Sequence, residues 1–371
     1  MAKRIFTALG LMSGTSMDGI DLALLVTNGR GVSQVLATDH APWDDELRAL
    51  VRRAMAAATR MDWRSRRERP GVLAEAEEAV TGAHVMAVRR FLKTTGMRPD
   101  VIGFHGQTVV HRPEARLTVQ LGDGQRLADA LGIPVVWDMR AADVAAGGQG
   151  APLAPAYHAA LAEKFGILPV AFVNIGGVSN VTWVGRRGRL LAFDCGPGNA
   201  PIDDWVRRMT GASCDVDGRL AARGRVHEER VRGVLVHPFF RQPPPKSLDR
   251  GAFTEAVAEG LSAADGAATL TAITARAIAL AGEWMPEMPE YWIVCGGGRR
   301  NRALMGMLAE AVREGVVVPV ESYGENGDMI EAACWGYLAV RSLLGLPLSW
   351  PETTGVPRPL SGGVLARPRF C

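Results

Sequence analysis

The chain has 371 residues, 47% of them hydrophobic and 22% charged, with a formal net charge of +3. That is an ordinary globular balance, long enough for two domains. The basic excess is too small and too dispersed for a nucleic-acid surface, and no apolar run is long enough to span a membrane.

The five cysteines (Cys195, Cys214, Cys295, Cys334 and Cys371) are far apart and odd in number, with no C-x-x-C spacing. They argue against a zinc site or a disulfide framework and fit a reducing, cytoplasmic setting. Lysine occurs only at Lys3, Lys93, Lys164 and Lys246, so a lysine-dependent mechanism has few candidates. The start, "MAKRIFTALGLMSG", has an apolar run too short for a secretory signal and reads as a first strand.

Three strands are predicted first, at 4–12, 20–28 and 33–39, rich in β-branched and apolar residues and separated by Gly, Ser, Asp and Asn. Helical patterns follow at 44–59 and 71–95, the second stopped by "TTGMRPD". "VIGFHGQ" reads as a buried strand, "GQRLADALG" as a helix and "PVVWDM" as another strand. The second half repeats the order, with strands at 171–176, 180–185 and 189–196 and helices after them, the longest around 252–284. Then come the strand "YWIVCGGG", a helix at 300–314, the strand "GVVVPV" and a helix at 329–345. Each half is therefore three strands followed by helices alternating with strands, which implies an α/β fold with mixed sheets and helices on their faces. The Gly-, Ala- and Pro-rich segment 145–155 is the expected hinge. It separates domain I (1–145) from domain II (146–345), with the Pro-rich tail (346–371) packing back on the first as irregular chain.

The stretch "GLMSGTSMDGID", residues 10–21, joins the first two strands as a hairpin turn. Gly10, Gly14 and Gly19 permit turn angles that other residues avoid, and successive turn N–H groups can converge on an anion. Thr15 and Ser16 add hydroxyl donors. Asp18 and Asp21 would repel phosphate unless a divalent cation lay between, so the stretch reads as a site for a nucleoside triphosphate with Mg²⁺. It is not a P-loop, because it has no lysine and leads into a strand. An ordinary Gly- and Ser-containing hairpin is the competing reading. Further Gly-rich turns favour the phosphate site: "NIGGVSN" at 174–180 holds the matching position in the second half, while "FDCGPGN" (193–199) and "CGGGRRN" (295–301) follow strands.

Taken together, the strings resemble one family. "GLMSGTSMDGID", "GFHGQTVVHRP", "WDMRAADVAAGGQGAPLAP", "NIGGVSNVT", "FDCGPGN", "PPPKS", "GGGRRN", "GDMIEA" and "PETTGV" run in order along essentially the whole chain. They resemble the anhydro-N-acetylmuramic acid kinases, a group within the actin, hexokinase and heat-shock ATPase superfamily. The resemblance implies two ribonuclease H-like repeats with an interdomain cleft that opens and closes. It implies a phosphotransferase that adds water to 1,6-anhydro-N-acetylmuramic acid and transfers the ATP γ-phosphoryl to its 6-oxygen, in peptidoglycan recycling. A cytoplasmic homodimer follows from it too. One departure is visible: Cys195 stands where the family pattern has Thr, and a thiol orients a carboxylate or a water weakly.

The roles follow from the chemistry and the resemblance together. The bridged 6-oxygen carries no proton, so a base must act on water, and Asp194 matches the family's catalytic position at the end of a strand. Its competing role is to cap the helix after Pro201, where Asp203 and Asp204 are rival carboxylates. Arg140 can grip the lactyl carboxylate of the sugar bidentately, or else make a salt bridge to Asp138 or Asp143. Gln107 and Glu331 are expected at the sugar, with His105 either beside them or a core residue. The nucleotide is expected at Gly14, Thr15, Ser16, Met17, Asp18, Gly19, Ile20 and Asp21, at Gly176, Gly177 and Ser179, and at Gly296, Gly297 and Gly298. Asp18 and Asp21 are the Mg²⁺ candidates, acting through water. Lys246 and Ser247 are assigned to the surface or to a lid. Two rival functions remain: a kinase for an ordinary sugar hydroxyl, and a nucleotide-gated chaperone.

Overall fold

The computed structural model describes residues 4–369 apart from Thr15 and Val32. The chain divides into two compact units, Met1–Lys164 with Met329–Cys371, and Phe165–Asp328.

In the first unit the elements are β1 (Phe6–Met12), β2 (Gly19–Thr27), β3 (Ser33–Pro42), α1 (Asp45–Arg60), α2 (Val72–Thr95), β4 (Val101–Phe104), β5 (Gln107–Arg112), β6 (Leu117–Leu121), α3 (Gly124–Leu131), β7 (Val135–Trp137), α4 (Ala141–Ala145) and α5 (Pro155–Phe165). The second unit holds β8 (Val170–Ile175), β9 (Val178–Val184), β10 (Leu190–Pro197), α6 (Ala200–Thr210), α7 (Glu228–Leu235), α8 (Ala263–Leu280), β11 (Tyr291–Cys295), α9 (Arg302–Ala311) and β12 (Val316–Pro319). The chain then returns to the first unit with α10 (Ile330–Leu343), α11 (Pro351–Thr354) and β13 (Val364–Ala366).

The two main sheets share a topology. One runs β13-β7-β4-β1-β2-β3 and the other β10-β9-β8-β11-β12. In both, the first three strands are an antiparallel meander, and the fourth and fifth add in parallel beside the first. That order, third-second-first-fourth-fifth, is the ribonuclease H-like arrangement, so the repeat expected from the element order is present.

β1, β2 and β4 are nearly continuous apolar runs because helices cover both faces of their sheet. On one side Leu9, Leu11, Leu22, Leu24, Ile102 and Phe104 pack with Val88 and Phe91 of α2 and Leu127 of α3. Each such fully buried side chain contributes about 1.5–3 kcal/mol relative to exposure. α10 packs on the same three strands. It does so backbone to backbone: a Cβ on Gly10 would overlap the Ala332 carbonyl, and one on Gly103 the Trp335 carbonyl. Gly10 thus serves close approach and not a turn angle; among the described residues of the 13–18 loop the left-handed one is Met17, at φ 56°.

In the second unit Trp183, Phe193, Trp292 and Val294 pack with Ala275 and Ile278 of α8 and Leu304 of α9. α8 is buried almost all round, which its run of Ala, Thr, Leu and Ile allows, and its N-terminus is capped by Ser262, which accepts from Asp265 N. The helix expected around 252–284 is therefore shorter, with single 3₁₀ turns at Glu255–Ala258 and Ala281–Trp284 on either side. The first of these ends at Glu259, and Gly260, at φ 81°, forms the turn that follows, closed by Leu261 N on the Ala258 carbonyl.

Other differences have local causes. "VIGFHGQ" is not one strand, because Gly106 at φ 72° breaks it and Gln107 opens a β5–β6 hairpin. The segment 145–155 lies inside the first unit, with Pro155 starting α5. The unit boundary falls at 164/165 and not 145/146, and the helix expected at 329–345 belongs to the first unit because it packs on β1, β2 and β4. The tail is not wholly irregular: β13 pairs antiparallel with β7.

Gly103→Ala is expected to cost about 1–3 kcal/mol or more, since the added methyl must displace helix backbone. Urea unfolding of the variant beside the parent measures it, with a lower midpoint at unchanged slope.

Candidate active site

The loop after β1 is tied to a segment 93 residues away in sequence. Ser13 Oγ donates to the Gly106 carbonyl at 2.9 Å, and Gln107 Nε2 donates to the Gly14 carbonyl at 3.1 Å. His105 Nδ1 donates to the Ser13 carbonyl at 3.1 Å. Within the loop Ser16 Oγ donates to Asp18 Oδ1 at 2.8 Å, and Trp43 N donates to the Asp18 carbonyl at 3.0 Å. Gly14, Ser16, Met17 and Asp18 form the accessible rim, and Thr15 lies outside the described residues. Gly19, Ile20 and Asp21 already belong to β2. Ile20 turns its side chain into the core, so the side chain expected at the nucleotide is spent on packing. Asp21 pairs with His40 Nδ1 at 2.7 Å, which leaves Asp18 the better placed of the two expected metal carboxylates.

Arg140 lies against the same segment. Its Nε and Nη2 face His105 Nε2 at 3.3 and 3.2 Å, and Nη1 donates to the Gly150 carbonyl at 2.9 Å. Its guanidinium carbon is 5.0 Å from the centre of the Trp335 ring, against which His105 also packs at 4.6 Å. Burial and the Arg140 charge hold the His105 imidazole well below its usual range, so Nε2 keeps the lone pair that faces the guanidinium. Burial also pulls Arg140 down, opposed by Glu331, Cys334 and Asp143, yet a guanidinium stays charged. The salt-bridge alternatives for Arg140 are taken elsewhere. Asp138 pairs with Arg66 at 2.6 Å, while Asp143 accepts from Gly150 N at 2.6 Å and Thr354 Oγ1 at 2.7 Å. Gln107 is fully buried and its Oε1 has no hydrogen-bond partner among the described residues. Glu331 stands exposed in the first turn of α10. The first unit thus holds a cation stacked on a buried Trp ring, a buried amide and, exposed at the start of α10, a carboxylate.

In the second unit three Gly-rich turns pack on one another. Gly198 N donates to the Gly177 carbonyl at 3.0 Å, Asn199 N to the Gly176 carbonyl at 2.7 Å, and Asn199 Nδ2 to the Ile175 carbonyl at 3.1 Å. A Cβ on Gly198 would overlap the Gly176 carbonyl. Gly296, at φ 73°, lies against Asn174 and the Ile175 carbonyl, and Gly298 against the Ile175 side chain. Gly177 and Gly297 are exposed. Ser179 is not available as a hydroxyl: it is buried and donates to the Pro197 carbonyl at 2.9 Å. Arg299, passed over in the sequence, pins this region. It is 4% exposed in its side chain, pairs with Glu321 at 2.7 Å and Asp328 at 3.0 Å, and donates to the Gly296 carbonyl at 2.9 Å.

Asp194 sits at the bulge of β10, where the register with β9 shifts between Asp194 and Gly196. It is half-buried, and burial raises its carboxyl to about 6 against the lowering hydrogen bond from Leu248 N to Oδ2 at 2.7 Å. It does not cap α6, whose N-cap is Asn199. Asp203, in the first turn of α6, is also raised to about 6, chiefly by burial, and Asp204 pairs with Arg207 at 2.9 Å. Cys195 points into the apolar core beside Phe193 and Ala275, so its thiol contributes packing. Among the described residues no group of three or more His, Cys, Asp or Glu side chains converges to hold a metal.

The family model described as "Anhydro-N-acetylmuramic acid kinase" matches residues 6–367. Curated relatives of that name share 51% identity in Rhodopseudomonas palustris, 52% in Nitrobacter winogradskyi and 51% in Bradyrhizobium diazoefficiens, each over 98% of this chain and 100% of the relative. Among solved structures, a (R)-2-hydroxyglutaryl-CoA dehydratase component A from Acidaminococcus fermentans aligns at 13% identity and a TM-score of 0.46, over 90% of this chain and 98% of that one, a distant likeness. By the match along nearly its whole length, the chain belongs to the anhydro-N-acetylmuramic acid kinase family.

Proposed function

We propose that this chain opens the bridge of 1,6-anhydro-N-acetylmuramic acid with water and phosphorylates the freed 6-oxygen from ATP. The products are N-acetylmuramic acid 6-phosphate and ADP, a cell-wall sugar returned for reuse. The setting of Asp194 carries the mechanism: a half-buried carboxylate at a strand bulge, raised to about 6 and held by one backbone N–H. At neutral pH it is ionised, and a carboxylate raised in this way is a stronger base than one in water.

The steps balance without a further reactant. Water attacks the anomeric carbon and gives a proton to Asp194. The bond from that carbon to the 6-oxygen breaks, and its electron pair stays on oxygen. That oxygen takes the γ-phosphoryl in line and ADP leaves. Arg140, kept in place by His105 and the Gly150 carbonyl, holds the lactyl carboxylate, with Gln107 and Glu331 on the sugar's polar groups. In the first unit the 13–18 loop is assigned to phosphate; in the second the 176–177 turn is assigned to phosphate and the 296–298 turn to adenosine. Mg²⁺ takes one or two carboxylates with water and phosphate oxygens; Asp18 on the exposed loop fits that donor set, and the ion would offset phosphate charge there. Among the described residues no helix is long and apolar enough to cross a membrane. The cytoplasm as location and the homodimer are carried from the family expectation.

Turnover in ¹⁸O-water is expected to place the label at the anomeric position of the product; a kinase acting on a free hydroxyl leaves the sugar unlabelled. Asp194→Asn is expected to lower kcat about 10²–10⁴-fold with the KM for ATP little changed. The kcat/KM profile should fall on the acid side as pH drops through about 6, where Asp194 gains its proton. That limb should persist in Asp203→Asn, although Asp203 has the same raised value. Arg140→Lys is expected to raise the KM for the sugar about tenfold or more, since one charge-assisted hydrogen bond and the planar fork are lost.

A further inference from the structure

The segment "PPPKSLDR", 243–250, runs beside Asp194, and apart from the Leu248 N–H its residues have no part in the mechanism above. Its backbone embraces the residue: Asp194 N donates to the Lys246 carbonyl at 3.0 Å, and Leu248 N donates to Asp194 Oδ2 at 2.7 Å. Between those two contacts the Lys246 side chain turns inward. Its Nζ donates to the Phe239 carbonyl at 3.0 Å and lies 4.7 Å from the Phe239 ring centre, 5.4 Å from that of Trp284 and 5.7 Å from that of Phe193. The cation is thus held by three ring faces and a carbonyl, and one of the rings belongs to the residue just before Asp194. We propose that Lys246 is a positioning residue for Asp194: anchored in this aromatic cage, it fixes the backbone segment that aims and shields the carboxylate. The inference rests on the reading of Asp194 as the base, but its structural half does not.

The physical case is one of order. A segment holds a donor at 2.7 Å only if its backbone is fixed, and here the Leu248 side chain already packs against the cluster of Phe239, Phe240 and Ala277. Three prolines stiffen one side, and the caged ammonium adds a second anchor, on the N-terminal side of the donor, to that of Leu248. The charged and titratable groups around the carboxylate are the Cys195 thiol in its own strand, which both Asp194 and Lys246 influence, and the Lys246 ammonium, which turns away from it into the cage; β9 presents the neutral Asn180 opposite. Burial raises the Asp194 carboxyl more than the Leu248 hydrogen bond lowers it, so loosening the segment moves its titration down, towards an ordinary carboxylate.

The test compares Lys246→Met, which keeps a similar stem without the ammonium, with Lys246→Arg, in the full chain. The Asp194 carboxyl is titrated by ¹³C NMR, and kcat and the KM for ATP are measured alongside. The expected result for the Met variant is a titration lowered by about half a unit or more and kcat reduced about tenfold, with the KM for ATP unchanged and both effects largely restored by Arg. A Met variant with unmoved titration overturns the proposal, whether or not kcat falls. Should the Met variant not fold, Trp284→Leu removes one wall of the cage with the lysine in place, and the same titration decides. Asp194→Asn at the parent's speed would sink the base reading alone, because the titration shift is read without turnover.

Discussion

Backbone laid directly on backbone is the constraint on which both functional regions depend. In the first unit α10 approaches β1 and β4 so closely that Gly10 and Gly103 have no room for a side chain. The approach brings Trp335 to Met12, whose sulfur accepts the indole N–H at 3.2 Å, and to His105 and Arg140. In the second unit the same device stacks the Gly198 turn on the Gly176 turn and the Gly296 turn on Ile175. Glycine costs conformational entropy in such places, and the return is a set of backbone groups held at fixed positions.

Burial acts on the ionisable groups in opposite senses, and each sense is useful. It leaves His105 neutral, so that the ring presents a lone pair to Arg140 while donating to Ser13. It lowers Arg140 too, but a guanidinium begins so far above neutral that its charge survives. At Asp194 it raises the carboxyl to about 6, still ionised at neutral pH. The difference comes from where each group starts relative to neutrality, with the same desolvation acting on all three.

The repeat of strands and helices was legible because each element carries its own signal. The apolar runs of β1, β2 and β8 and the stop at Gly96 are local facts. Asp194, Arg140 and the glycine turns were legible through strings that match a family. Harder to see were pairings between distant segments. That His105 and Gln107 would hold the 13–18 loop, that Asp21 would be engaged by His40, and that Ser179 would turn inward has no local sign. The boundary expectation differs for the same reason: 145–155 has hinge composition, but the chain up to Lys164 belongs to the first compact unit, where Tyr157 of α5 packs with Tyr337 of α10.

The amino-acid sequence alone determined the α/β repeat, the family and which residues are candidates for the chemistry, because periodicity, turn residues and motif strings act over short spans. Tertiary structure alone decided which of those residues meet, which hydroxyls and carboxylates were already engaged, and how far burial moved their proton affinities. Such properties arise from groups tens to hundreds of residues apart and from the exclusion of water around them, and neither exists until the chain has closed on itself.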